Sequence, residues 1–176
     1  MRTRHLLFAA ATGMIALGNA LPASALPGDT ATSISVTSGF LSITVPVNAG
    51  SLGTRANTVL GGVISGPLGQ VVVNDARSAA AGSGWVASAI STAFTPPSGP
   101  AIPASAVGYT AGAITKVGTA TYTANDPVNL TGVAPAVTAT GITGDNSATW
   151  NPTINVAVPG GIAANVYTAT ITHSVV

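Results

Sequence analysis

The sequence predicts an all-β chain: an antiparallel β-sandwich of immunoglobulin-like type behind an N-terminal secretory signal peptide. Three observations carry that expectation. Thr, Ser, Val, Ile and Ala alternate at period 2 in several short runs, the signature of half-buried strands. Gly- and Pro-rich punctuation separates the runs, as in sandwiches and barrels. Only 5% of the 176 residues are charged, and there are 21 Gly, 12 Pro and no Cys; an ordinary soluble domain carries about 25% charge.

Residues 1–25 read as the signal peptide. Arg2 and Arg4 form a basic start, an apolar stretch runs from Leu6 to Leu21, and Ala23-Ser24-Ala25 offers a small-x-small cleavage site. The apolar stretch is broken by Thr12, Gly13, Gly18 and Asn19, so it falls short of the roughly 18–20 apolar residues that span a membrane. No other stretch approaches that length, and no span is expected in residues 26–176, which read as a single domain. Their cations are Arg55, Arg77 and Lys116, and their anions are Asp29, Asp75, Asp126 and Asp145. A surface this close to neutral does little to repel other molecules or a matrix.

Strands are expected in order at 33–37, 41–45, 59–64, 70–74, 85–92, 117–124, 136–142, 153–158 and 169–175. In Leu41-Ser42-Ile43-Thr44-Val45 the apolar residues share one face, and Thr119, Thr121 and Thr123 share another. Turns are expected at Gly61-Gly62, Gly66-Pro67, Gly82-Ser83-Gly84, Gly144-Asp145-Asn146 and Pro159-Gly160-Gly161. The Pro-rich stretch 95–103 reads as a stiff loop. Residues 76–81 are short and Ala-rich enough for one helical turn.

The composition excludes whole classes of chemistry. One net positive charge leaves no basic footprint for nucleic acid. Without Cys there is no disulfide framework, thiol nucleophile or zinc–thiolate site. There is no Glu, and His173 is the only histidine after residue 25. A Ser–His–Asp triad would need His173, yet no nucleophile-elbow pattern accompanies any Ser, and His173 falls on the apolar face of its strand. The expectation is therefore a non-catalytic protein with no cofactor and no metal. Asp126 precedes Pro127, and Asp145 sits in a Gly-Asp-Asn sequence; both read as turn formers. A calcium site at Asp145 and Asn146 is the alternative. Asp75 and Arg77, at i and i+2, read as an ion pair or turn lock, or as a polar recognition patch.

Trp85 and Trp150 are the large aromatics, with Tyr109, Tyr122 and Tyr167 beside them. Each Trp has two readings. One is core packing, as in many sandwiches. The other is an aromatic platform for sugars, whose C–H faces are apolar and whose hydroxyls seek hydrogen bonds.

The run Gln70-Val71-Val72-Val73-Asn74-Asp75-Ala76-Arg77, then a small-residue link and Gly84-Trp85-Val86-Ala87, resembles the first half of a WxL domain. The C-terminal Tyr167-Thr168-Ala169-Thr170-Ile171-Thr172-His173-Ser174-Val175 resembles that family's terminal strand. The chain departs from the pattern in two places: Ala87 stands where the first motif has Leu, and His173 where the second has Trp. The resemblance implies a divergent, WxL-like surface protein of a Gram-positive, actinobacterial type of cell, secreted and cell-wall associated. It implies non-covalent binding to peptidoglycan or another wall glycan, with other surface proteins as further partners. The candidate wall contacts are Trp85, Asp75, Arg77, Trp150 and His173. The alternative is a structural or adhesive subunit that docks onto another envelope protein through edge strands or Thr-rich faces.

Overall fold

The computed structural model describes residues 33–176; the expected signal peptide and Asp29 lie outside them. Among the described residues eight strands form: β1 (Leu41–Thr44), β2 (Gly62–Pro67), β3 (Val71–Ser91), β4 (Val107–Thr110), β5 (Thr115–Ala124), β6 (Ala134–Trp150), β7 (Thr153–Val158) and β8 (Ile171–Val175). A 3-10 turn, Ala104–Ala106, precedes β4. Among the described residues no helix is long and apolar enough to cross a membrane.

The fold is an antiparallel β-sandwich. One sheet runs β1-β3-β6-β5, with β8 also paired to β3; the other runs β2-β7-β4. β1 meets the start of β3, with Leu41 opposite Asp75, and β8 meets its end, with Ala87 opposite Val175. The chain passes between sheets at Asn151-Pro152, where β6 gives way to β7. Pro suits this corner because it has no N–H to offer a ladder.

The core fills the space between the sheets. Val71, Val73, Trp85, Ala87 and Ala89 enter from β3; Ala139, Ile142, Ala148 and Trp150 enter from β6. Val107, Tyr109, Ile154 and Val156 face them from the other sheet. This is the apolar-in, hydroxyl-out alternation read from the sequence, and it supplies the main stabilisation by removing apolar surface from water.

Strand 153–158 matches β7, and 41–45, 117–124 and 169–175 match β1, β5 and β8 within a few residues. Other expectations are corrected. The 70–74 and 85–92 runs are one strand, so Gly82-Ser83-Gly84 is not a turn, and residues 76–81 are extended, not helical. Gly144-Asp145-Asn146 likewise lies inside β6. The glycines there serve bulges: the β3–β6 register shifts between Asp75 and Ala79, between Ala79 and Ser83, and between Ser83 and Trp85. Positive φ at Ser78 (53°), Gly82 (88°), Gly141 (64°) and Gly144 (71°) absorbs these shifts. Residues 59–61 are a turn, and β2 begins only at Gly62. β4 goes unread in the sequence because Val-Gly-Tyr-Thr is too short to show a period. Residues 33–37 alternate as a strand should but form none. A strand is stable only when its backbone groups are paired.

Candidate functional site

Period 2 along β3 sends Val71, Val73 and Asp75 to the same inner face. On β6 the same rule sends Asn146, Ala148 and Trp150 inward. The register sets Asp75 opposite Asn146, so a carboxylate and an amide meet in the core row. Both are buried, at 0% and 3% exposure, and buried polar groups must find partners.

They find them in one network. Arg77 Nε donates to Asp75 Oδ1 at 2.8 Å and Arg77 Nη2 to Oδ2 at 2.9 Å, a two-pronged pair. The same Nη2 reaches the Gly84 carbonyl at 3.2 Å, closing the bulged stretch that precedes Trp85. Asn146 Nδ2 donates to Asp75 Oδ2 at 3.2 Å. Its Oδ1 accepts from Trp85 Nε1 and from the Tyr122 hydroxyl, each at 3.1 Å. Trp85 and Tyr122 both lie opposite Ala139 in one cross-strand row. The small Ala lets their rings approach to 5.6 Å. Lys116 Nζ caps the Tyr122 ring at 6.0 Å. The guanidinium of Arg77 holds the Asp75 carboxyl below the usual carboxylate range, against an opposing push from burial. Burial pushes the Tyr122 hydroxyl up.

A second cluster spans the two sheets. Trp150 Nε1 donates to the Tyr109 hydroxyl at 2.8 Å. His173 Nε2 lies 3.3 Å from the same oxygen. Which of Nε2 and the phenol oxygen donates depends on the imidazole tautomer. His173 Nδ1 is buried and has no partner among the described residues. Burial raises the Tyr109 pKa to about 12 and lowers that of His173.

The candidate residues therefore have unequal access. Trp85 and Trp150 are 2% exposed, so core packing is their place, and the aromatic-platform reading is corrected: neither ring face is open to a sugar. Asp75 is enclosed beneath Arg77, which is 38% exposed and is the part of the pair that reaches solvent. His173 is half-buried. Asp145 accepts from the Ser78 amide at 2.8 Å and Asp126 from the Ala111 amide at 2.8 Å. Asn146 faces the core while Asp145 pins β3, so the two do not converge on a calcium ion. No group of three His, Cys, Asp or Glu stands together among the described residues. The bond from Asn146 to Asp75 is what sequence reasoning missed, because Asn146 reads as part of a turn and the contact depends on register with a residue 71 positions away.

Two further features are open to a partner. The outer face of the larger sheet carries hydroxyls in register. Thr115, Thr119, Thr121 and Thr123 of β5 stand opposite Thr149, Thr143, Thr140 and Thr138 of β6. The rows continue across the sheet: Thr44, Val72, Thr149 and Thr115 form one, and Ser42, Asn74, Ser147 and Val117 another. None of these rows holds a charged side chain. The other feature is a cavity of about 710 Å³ with an apolar floor that includes Ile64, Phe94, Val158 and Ile171. It opens among the loops that follow β1 and β7, which Gly161 N ties together through the Thr58 carbonyl at 3.0 Å. No protein-family model, no curated protein and no solved structure matches this chain.

Proposed function

We propose that this chain is an exported, non-catalytic cell-surface protein that holds wall glycan, peptidoglycan foremost, without a covalent bond. The observation that carries the reading is the hydroxyl-rich outer face of the larger sheet, with its four Thr–Thr cross-strand pairs. Neighbouring strands lie about 4.8 Å apart, and every second residue on one strand repeats at about 6.8 Å. Each Thr thus offers a hydroxyl and a methyl at fixed spacing on a rigid sheet. A sugar chain presents hydroxyls and apolar C–H faces in turn, so both kinds of group find partners. A pre-ordered face also loses little side-chain freedom on binding. The WxL-like motifs support the same surface role by a different route: Asp75, Arg77, Gly84 and Trp85 lock the bulged ribbon on which the face is built.

Co-sedimentation of the exported chain with purified peptidoglycan sacculi tests the proposal. The control is the double variant Thr121→Glu with Thr140→Lys, a directly opposed pair. It keeps net charge and favours the strand pairing but breaks the Thr array. The expected result is saturable pull-down by the native chain and at least a tenfold weaker one by the folded variant. Equal pull-down by both would remove the Thr face from the account.

A further inference from the structure

We propose that copies of this chain assemble head to tail, with residues 33–37 of one copy lying as an added strand in the apolar cavity of the next. This goes beyond wall binding and stands or falls separately from it.

Two unsatisfied features of the molecule carry the inference, and each fits the other. The first is Ser33-Ile34-Ser35-Val36-Thr37. It alternates polar and apolar as a half-buried strand does, yet it belongs to no strand. Ile34 is 91% exposed and Val36 89%. Two apolar side chains, two residues apart and on one face, stand in water. The second is the cavity of about 710 Å³ with Ile64, Val158 and Ile171 in its lining. Its wall on one side is β8, which pairs only with β3 among the described strands. The other edge of β8 therefore has backbone groups to offer.

The dimensions and chemistry agree. β8 has five residues, as does the alternating segment. Along β8, Ile171, His173 and Val175 are half-buried while Thr172 and Ser174 are exposed. A strand added beside it would send Ile34 and Val36 inward among the cavity's apolar side chains and leave Ser33, Ser35 and Thr37 outward. Charge places no obstacle: no charged residue occurs from Thr30 to Thr54, and Arg55 at the cavity mouth is already bonded to the Gly61 carbonyl. Main-chain bonds along an open edge would give affinity, and the two apolar side chains would set the register. Segment and cavity are built from different residues of the chain. Their contact is therefore heterologous, and it builds open chains of copies unless the rotation happens to close a ring.

The chain has no Cys, which makes the test direct. The exported full-length product is examined by sedimentation velocity across a concentration series, beside the variant Ile34→Asp with Val36→Asp. The expected result is concentration-dependent growth beyond the monomer for the native chain and at least a tenfold weaker association for the variant. Both substituted residues are exposed, so the variant should fold. A second measurement locates the contact. A chain carrying Val36→Cys is mixed with one carrying Val166→Cys, at the exposed mouth of the cavity, and oxidised. A disulfide between the two different chains is expected. A native chain that stays monomeric, oligomers that persist unchanged in the Asp variant, or only like-with-like disulfides would each overturn the proposal.

Discussion

The indole N–H of Trp85 donates to the side-chain oxygen of Asn146 at 3.1 Å, and the amide nitrogen of Asn146 donates in turn to Asp75 at 3.2 Å. Asn146 thus joins an aromatic ring to an ion pair within the core. A network of this kind is costly when one member is missing, because each remaining polar group stays desolvated.

Replacing Asn146 with Ala should therefore cost more than its size suggests. The Trp85 N–H and the Tyr122 hydroxyl lose their shared acceptor, and Asp75 loses a donor. The expected loss is about 2–4 kcal/mol, at roughly 1–3 kcal/mol for each orphaned group with some relaxation. Urea unfolding followed by Trp fluorescence measures it. Asn146→Asp should also destabilise at neutral pH, by placing a second carboxylate against Asp75, and should recover part of the loss on acidification.

Trp85→Ala should cost about 3–5 kcal/mol, the range for a buried aromatic truncated to Ala. Trp85→Phe should cost less, losing the N–H and part of the ring. A failure of Trp85→Ala to bind any ligand would then report a damaged fold. Circular dichroism and denaturant midpoints, taken before any binding assay, check this.

Acid should weaken the fold in two stages. Burial lowers the His173 pKa in the folded chain. Below about 6.5 the unfolded state binds that proton more readily, so stability falls as pH drops from there. Asp75 has its pKa lowered chiefly by Arg77. Its contribution is complete above the ordinary value of 3.8 and disappears as pH falls through the lower folded value. His173→Gln should remove the first stage and Asp75→Asn the second. Melting temperature against pH, from 8 to 2 in steps, separates them.

Two glycines should respond differently to Ala. Gly82 has φ 88° and open space where a Cβ would stand, so only the backbone penalty applies, about 1 kcal/mol. Gly118 has φ 87°, and a Cβ there would strike the Asp145 carbonyl. Gly118→Ala should therefore lower the melting temperature further than Gly82→Ala.

The sandwich was legible because its signal is local. Period-2 alternation places Leu41 and Ile43, or Thr119, Thr121 and Thr123, without knowledge of any partner. The long ribbon was not legible, because Gly82-Ser83-Gly84 and Gly144-Asp145-Asn146 read alike whether they reverse a strand or bulge it. Only the pairing of β3 with β6 decides, and that pairing is remote in sequence. The Asp75–Arg77 pair was visible at i and i+2. Its closure onto Gly84 and Asn146 required the bulge and the register. The two Trp residues show the same limit: a Gly before Trp85 and an Asn-Pro after Trp150 suggest a rim, yet both side chains point between the sheets. Residues 33–37 are the reverse case, where the local signal is present and the partner strand is not.

Proposed binding of wall glycan by the Thr rows of the larger sheet is tested by a binding isotherm of the purified protein on sacculi at two ionic strengths. Contacts made by Thr hydroxyls and methyls should be nearly indifferent to salt, since screening acts on charges. Saturable binding with the same affinity at about 0.05 M and about 0.5 M salt is the expected result. No saturable binding, or binding lost at the higher salt, would contradict it.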